Sequence, residues 1–182
     1  MIAVHARYRG REKGRAQLVK RSAYALSTLP GVGEFEIVGV EDIRAHVESP
    51  GDALNLIMAL LSDGNWAIGL GITRRGGAVH AATDATGRKP ATVGVSADAE
   101  GSEASDIAAT FALIGHVLMK RTYEGREATA LVRRGLNQNE AAERLGISKQ
   151  AMSQRLQAAG WHAEQAGVQL ALNLISRAAG VD

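Results

Sequence analysis

An α+β fold is what this sequence predicts, and three observations predict it. Over residues 1–72, short β-type apolar stretches alternate with stretches of helical periodicity. From Ser102 onward the apolar residues recur at helical spacing, beginning with Ile107, Phe111, Ile114 and Leu118. Between the two lies a Gly-, Thr- and Ala-rich stretch, 73–102, with neither period.

Taken in order, residues 2–4 predict a short strand. Residues 11–29 predict a helix that places Leu18, Val19, Ala23 and Leu26 on one face and stops at Pro30-Gly31. Residues 34–40 read as a second strand, with Phe35, Ile37 and Val40 apolar. Ser49-Pro50-Gly51-Asp52 is a turn that starts a strongly apolar helix over 52–61, which Asp63-Gly64-Asn65 breaks. A third strand follows over 66–72, with Gly69 and Gly71 interleaved among Ala67, Ile68, Leu70 and Ile72. The order β-α-β-α-β implies an N-terminal domain of ferredoxin-like or cyclase-like layout. For 73–102 the expectation is a loose hairpin of 78–82 against 92–96, either partly disordered or covering a ligand cavity. The rest is an all-helical domain, with helices over 102–119, 123–134, 138–145, the stretch after Ser148, and 161–179. The boundary falls around Ala97-Asp98-Ala99-Glu100-Gly101, which divides the chain into domains 1–100 and 101–182.

Composition narrows the function classes. Only 4% of the 182 residues are aromatic, so the core is built from Ala, Val, Leu and Ile. The chain has no cysteine, which excludes disulfides, thiolate metal sites and a cysteine nucleophile. The formal charge of +2 neither demands nor excludes nucleic acid, and its placement decides more. His5, Arg7 and Arg9 interrupt the start, so it does not read as a signal peptide. The longest mostly apolar stretch, 107–119, contains Gly115 and His116 and is too short to span a bilayer. A cytoplasmic protein with no membrane partner is the expectation.

Residues 135–160, GLNQNEAAERLGISKQAMSQRLQAAG, carry the functional argument. Asn137 is a good N-cap, and Glu140 three residues later completes a capping-box pattern. The first helix turns Ala141, Ala142 and Leu145 inward, with Ala142 small where two helices must cross closely. Gly146 suits a turn of positive φ. Ile147 plugs the space between the helices and Ser148 caps the second. On that helix Met152 and Leu156 lie one turn apart and face inward. Its outward face is Lys149, Gln150, Ser153, Gln154 and Gln157, polar and free of carboxylates.

This is the composition of a DNA recognition helix. Glutamine can bond an adenine edge bidentately, serine can bond bases or phosphate, and lysine and arginine neutralise phosphate. Arg155 is expected to contact phosphate from the helix flank, and Arg133, Arg134 and Arg144 add positive charge around the unit. The pattern predicts sequence-specific binding of double-stranded DNA by a bacterial transcriptional regulator. The bland alternative is an αα-hairpin that only packs. No winged element follows, since Gly160 leads directly into Trp161 and more helix. The arrangement resembles the four-helix type of sigma-factor region 4 and response-regulator output domains. The last helix carries Val168, Ala171, Leu172, Ile175 and Ala179 on one side, broadened by Leu170 and Leu174. Such a stripe either packs on the first domain or dimerises. A homodimer on two half-sites is the expected state, with the N-terminal domain serving dimerisation or sensing of a small-molecule effector.

The order of elements resembles the SatD-like family of small bacterial regulators, in which an α/β N-terminal domain leads to a C-terminal helix-turn-helix. The likeness is specific over 137–157 with Ala158-Ala159, and weaker at Gly39-Val40-Glu41, at Ser49-Pro50-Gly51-Asp52-Ala53-Leu54 and over 67–72. The family's aspartate after the opening strand is absent from Val4-His5-Ala6-Arg7-Tyr8-Arg9-Gly10-Arg11, and Gly39-Val40-Glu41 is one acid short. The resemblance therefore implies a class and carries over no nucleotide, metal or catalytic site.

Other candidates read as structural. His5, His46, His80, His116 and His162 lack metal-ligand spacing. Glu41-Asp42 reads as a solvated strand end, or with Asp42-Ile43-Arg44 as a helix N-terminus. Gly69-Leu70-Gly71 and Thr73-Arg74-Arg75-Gly76-Gly77 do not form a phosphate loop, and a β-turn with exposed arginines is expected there. The basic run Arg7, Arg9, Arg11, Lys13, Arg15, Lys20, Arg21 reads as a solvated helix face, with a second contact to DNA or RNA as the alternative. No cofactor is expected. Two competing functions stay open: a degenerate nucleotide-binding or enzymatic N-terminal domain, and an adaptor whose helix-turn-helix docks on protein.

Overall fold

A computed structural model describes residues 1–98 and 101–181. Ala99 and Glu100 of the expected boundary, and Asp182, lie outside the described residues. The fold is α+β: a mixed five-stranded sheet with its helices, followed by a helical C-terminal region.

The N-terminal half contains β1 (Ile2–Tyr8), α1 (Arg15–Leu26), β2 (Glu36–Val38), β3 (Asp42–Val47), α2 (Pro50–Asp63), β4 (Trp66–Ile72), α3 (Ala78–Ala85) and β5 (Thr92–Ala97). The sheet order is β2-β3-β1-β4-β5. All neighbours are antiparallel except β4 and β5, which are parallel. Strand alternation sorts the faces. Ile2, Val4, Ala6 and Tyr8 of β1, Ile43, Ala45 and Val47 of β3, and Ile68, Leu70 and Ile72 of β4 enter one large core. On the other face Ala3 packs with Ala78 and Ala82 of α3.

Two expectations need correcting. The strand expected over 34–40 is the short β2, and Asp42-Ile43-Arg44 opens β3 instead of a helix. Gly39, at φ 67°, turns the chain between them. The buried Ile43, Ala45 and Val47 alternate with the less buried Arg44 and exposed His46, a period of two that no helix accommodates. The order is therefore β-α-β-β-α-β, with an α-β unit after it, not β-α-β-α-β.

The expected hairpin within 73–102 is also absent. Instead α3 crosses over so that β5 joins β4 in parallel, with Ile68 opposite Val93 and Leu70 opposite Val95. Glycine explains this packing. A Cβ at Gly69, Gly71 or Gly94 would overlap the carbonyl oxygens of Ala82, Ala78 and Ala85 respectively. These three positions let the α3 backbone rest directly on the sheet.

Helix α2 is bounded by local signals: Ser49 accepts from Asp52 N at 3.2 Å, Pro50 opens the helix, and Gly64 at φ 80° ends it. Ala53, Leu54, Leu56, Ile57, Leu60 and Leu61 are all buried. A helix apolar on so many sides must be covered on more than one. The sheet covers one side, and α4 (Glu103–Met119) and α8 (Trp161–Ala179) cover the other. Ile107, Phe111, Ile114, Leu118, Ala171, Ile175 and Ala178 join the same core as the sheet. The stripe of the last helix thus packs on the N-terminal half, with Leu170 left exposed.

Between α4 and α8 stand α5 (Tyr123–Arg133), α6 (Gln138–Leu145) and α7 (Lys149–Ala158). They enclose a separate small core of Ala128, Ala141, Ala142, Met152 and Leu156. Among the described residues, no helix is long and apolar enough to cross a membrane.

Candidate nucleic-acid interface

The α6–α7 unit is built by local hydrogen bonds. Asn137 Oδ1 accepts from Asn139 N at 2.9 Å and Glu140 N at 3.1 Å, while Glu140 Oε2 accepts from Asn137 N at 2.8 Å. That is a complete capping box. At the other end of α6, Gly146 takes φ 64°. Ile147 N donates to Ala142 O at 3.0 Å and Gly146 N to Glu143 O at 3.1 Å, the paired bonds of a Schellman turn. Ile147 packs into the small core from this turn. Ser148 then accepts from Ala151 N at 3.1 Å and starts α7.

Met152 and Leu156 are buried, so the opposite side of α7 faces outward. Lys149, Gln150, Ser153, Gln154 and Gln157 are all exposed, as their spacing predicts. Arg155 is placed differently. It is half-buried on the flank toward α5, close to Glu124. The Glu124 carboxyl is held below its ordinary value by a backbone N–H of its own residue, by the Thr122 hydroxyl and by the Arg155 charge.

Positive potential comes from a source the sequence reading missed. An open cleft lies at the N-terminal ends of α6 and α7, lined by Asn137, Gln138, Asn139 and Lys149. Helix N-termini carry partial positive charge and Lys149 adds to it, so this cleft can accept a phosphate oxygen beside the outward face of α7, although the capping box already engages the N–H groups of Asn137, Asn139 and Glu140. Capping-box spacing marked Asn137 and Glu140. Nothing marked Gln138 and Asn139, whose value comes from standing next to Lys149.

Arg134 and Arg144 are exposed, as a supplementary basic surface requires. Arg133 is not free. Its guanidinium donates to Glu164 Oε1, and its guanidinium carbon lies 5.6 Å from the centre of the Trp161 ring. Glu164 also accepts from Arg121, whose Nε donates to Ala159 O at 2.8 Å. The side chains of Glu164 and Arg121 are 2% and 3% exposed. This Arg–Glu–Arg cluster, buried at Arg121 and Glu164 and exposed at Arg133, ties α5 and the end of α7 to α8.

In the N-terminal half, Glu41 and Asp42 hold arginines and do not stand as a free acidic pair. Arg7 grips Asp42 with two bonds, 2.8 and 3.2 Å, while Arg9 and Arg15 both reach Glu41. Arg7, Arg9 and Arg15 are therefore paired members of the basic run, and Arg11, Lys13, Lys20 and Arg21 are exposed. His5 is buried against α3, its Nδ1 3.0 Å from Thr83 Oγ1 and its Nε2 3.6 Å from Asp42 Oδ1. Thr83 Oγ1 donates to Val79 O, so it accepts from His5 Nδ1–H. Burial pushes the His5 pKa down, against the pull of Asp42. Among the described residues, no group of three or more His, Asp or Glu is placed to hold a metal ion.

No family model, curated protein or solved structure matches this chain. The functional reading therefore rests on the residues themselves.

Proposed function

We propose that this chain is a sequence-specific DNA-binding protein, a bacterial transcriptional regulator that reads the major groove with α7. One observation carries the reading: α7 presents an outer face of Lys149, Gln150, Ser153, Gln154 and Gln157, all exposed and none acidic. The capping box, the Schellman turn and the Ser148 cap support reading α6 and α7 as a helix-turn-helix. Gln150 and Gln154 are the base-reading residues. Lys149 and the cleft at Asn137, Gln138 and Asn139 engage phosphate, with Arg155 supporting from the flank.

The N-terminal half fits an accessory role. The succession β1-α1-β2-β3-α2-β4 in sheet order β2-β3-β1-β4 supports reading it as a split β-α-β, ferredoxin-like domain with α3 and β5 appended. We assign it dimerisation or effector sensing, and a homodimer on two half-sites about one helical turn apart. Membership in the SatD-like family is part of this proposal, supported by the residues over 137–159.

The test is a salt titration of binding to genomic DNA fragments. Affinity should fall steeply with salt and differ among fragments. Gln150→Ala and Gln154→Ala should each lose about 1–3 kcal/mol of discrimination between operator and non-operator DNA. Equal affinity for all fragments, before and after substitution, would remove the role. No binding even at low salt would point to a protein partner.

A further inference from the structure

Where α5 meets the α/β body, a cavity of about 120 Å³ is walled by Ser62 at the end of α2, Leu118 of α4, Arg121, and Arg126, Thr129 and Arg133 of α5. Arg126, Thr129 and Arg133 share one face because they are three and four residues apart. Three arginines thus line a small space whose lining includes no carboxylate. Glu164 answers two of them, Arg121 and Arg133, from α8. Three cations against one anion leave an excess of two positive charges.

That excess falls on Arg126 and Arg133, which are exposed, while the buried Arg121 is paired with Glu164. Arg121 spends its Nε on Ala159 O and its Nη2 on Glu164. Its Nη1 makes no hydrogen bond to protein among the described residues and is not shut off from solvent, so it is open to an acceptor entering the cavity. Arg126 is exposed and has no ion pair among the described residues. The wall is therefore rich in charged donors that lack acceptors. Planar guanidinium groups match tetrahedral oxyanions, which take two parallel N–H bonds from each. The volume lies below the roughly 300–1,000 Å³ of pockets that enclose whole small ligands. It suits one anionic group and not a nucleotide.

We propose that this cavity binds a phosphate group, either free phosphate or the head of a small phosphorylated molecule. Arg121 and Arg126 would be its principal ligands, with Arg133 sharing its charge and the Ser62 hydroxyl closing the site from α2. The bound group would bridge the α/β body to α5 and so steady the helices that carry α7. Only this last, regulatory consequence rests on the DNA-binding reading; the anion site does not.

The experiment uses the full chain, with calorimetric titration and thermal unfolding in potassium phosphate against potassium chloride of equal ionic strength. Wild type should show saturable phosphate binding and a rise in Tm that chloride does not reproduce. Arg126→Gln should weaken phosphate binding at least tenfold, and its exposed position leaves the fold intact. Arg144→Gln, on α6, should leave it unchanged. A parallel titration with glycerol phosphate separates the two sources: tighter binding than phosphate assigns the head of a small molecule, and equal or weaker binding assigns free phosphate. Absence of saturable binding in wild type, or the same affinity in Arg126→Gln, would overturn the site. Displacement of phosphate by duplex DNA would overturn it as a small-ligand site and make it a backbone contact. Phosphate binding retained in a protein that fails to bind DNA would uphold the site while removing the DNA-binding reading.

Discussion

Glu164→Gln is the substitution that most directly tests how α5–α7 are attached to the rest of the molecule. Gln keeps the shape of the side chain and removes its charge. Arg121 then keeps the Ala159 carbonyl but loses the Glu164 carboxylate, while its side chain is 3% exposed. Breaking a buried pair by removing one partner typically costs about 3–5 kcal/mol, because the remaining charge stays buried. Arg133 adds little, since at 43% exposure water screens its share to within about 1 kcal/mol. The expected loss is therefore about 3–5 kcal/mol, which for a chain of this size is a fall in Tm of roughly 6–20 °C. Urea unfolding followed by circular dichroism measures it. Arg121→Met alone should be nearly as damaging, and Arg121→Met with Glu164→Met should cost less than the two single changes together. A loss below about 1 kcal/mol for Glu164→Gln, or strict additivity in the double variant, would refute the claim that this ion cluster is a buried, coupled fastening.

Three further outcomes are expected. Asn137→Ala removes the acceptor for two N–H groups at the start of α6 and should cost about 0.5–2 kcal/mol in chemical unfolding, with DNA affinity falling in parallel. Gly71→Ala places a methyl against the Ala78 carbonyl, a backbone atom that cannot rotate away, and should cost about 1–3 kcal/mol, whereas Gly76→Ala, beside open space, should cost less and only through its positive φ; equal losses would contradict the close seating of α3. Because burial lowers the His5 pKa, the unfolded chain binds a proton more readily than the folded one below the ordinary 6.5. Stability from this group is thus fully present above that value and is lost as pH falls through the folded pKa. Wild type should lose stability on acidification from pH 7 more steeply than His5→Asn, and identical pH profiles would show that His5 does not contribute.

What the sequence by itself determined is the part of the molecule made by neighbours in the chain. The capping box at Asn137 and Glu140, the Gly146 turn, the Ser148 cap and the inward pair Met152 and Leu156 are interactions across two to five residues, so their spacing spells them out. The bounds of α2 follow from Ser49, Pro50 and Gly64 for the same reason. Tertiary structure decided the rest. Gly69 and Gly71 read only as residues interleaved in a strand, and the sheet shows that they, with Gly94, vacate one face for α3. The same holds for Glu41 and Asp42, whose partners lie 26 to 35 residues away, and for Glu164, 43 residues from Arg121. A charged residue in a sequence reads as solvated by default. Whether it is buried and paired depends on packing between elements distant in the chain, and no local period records that.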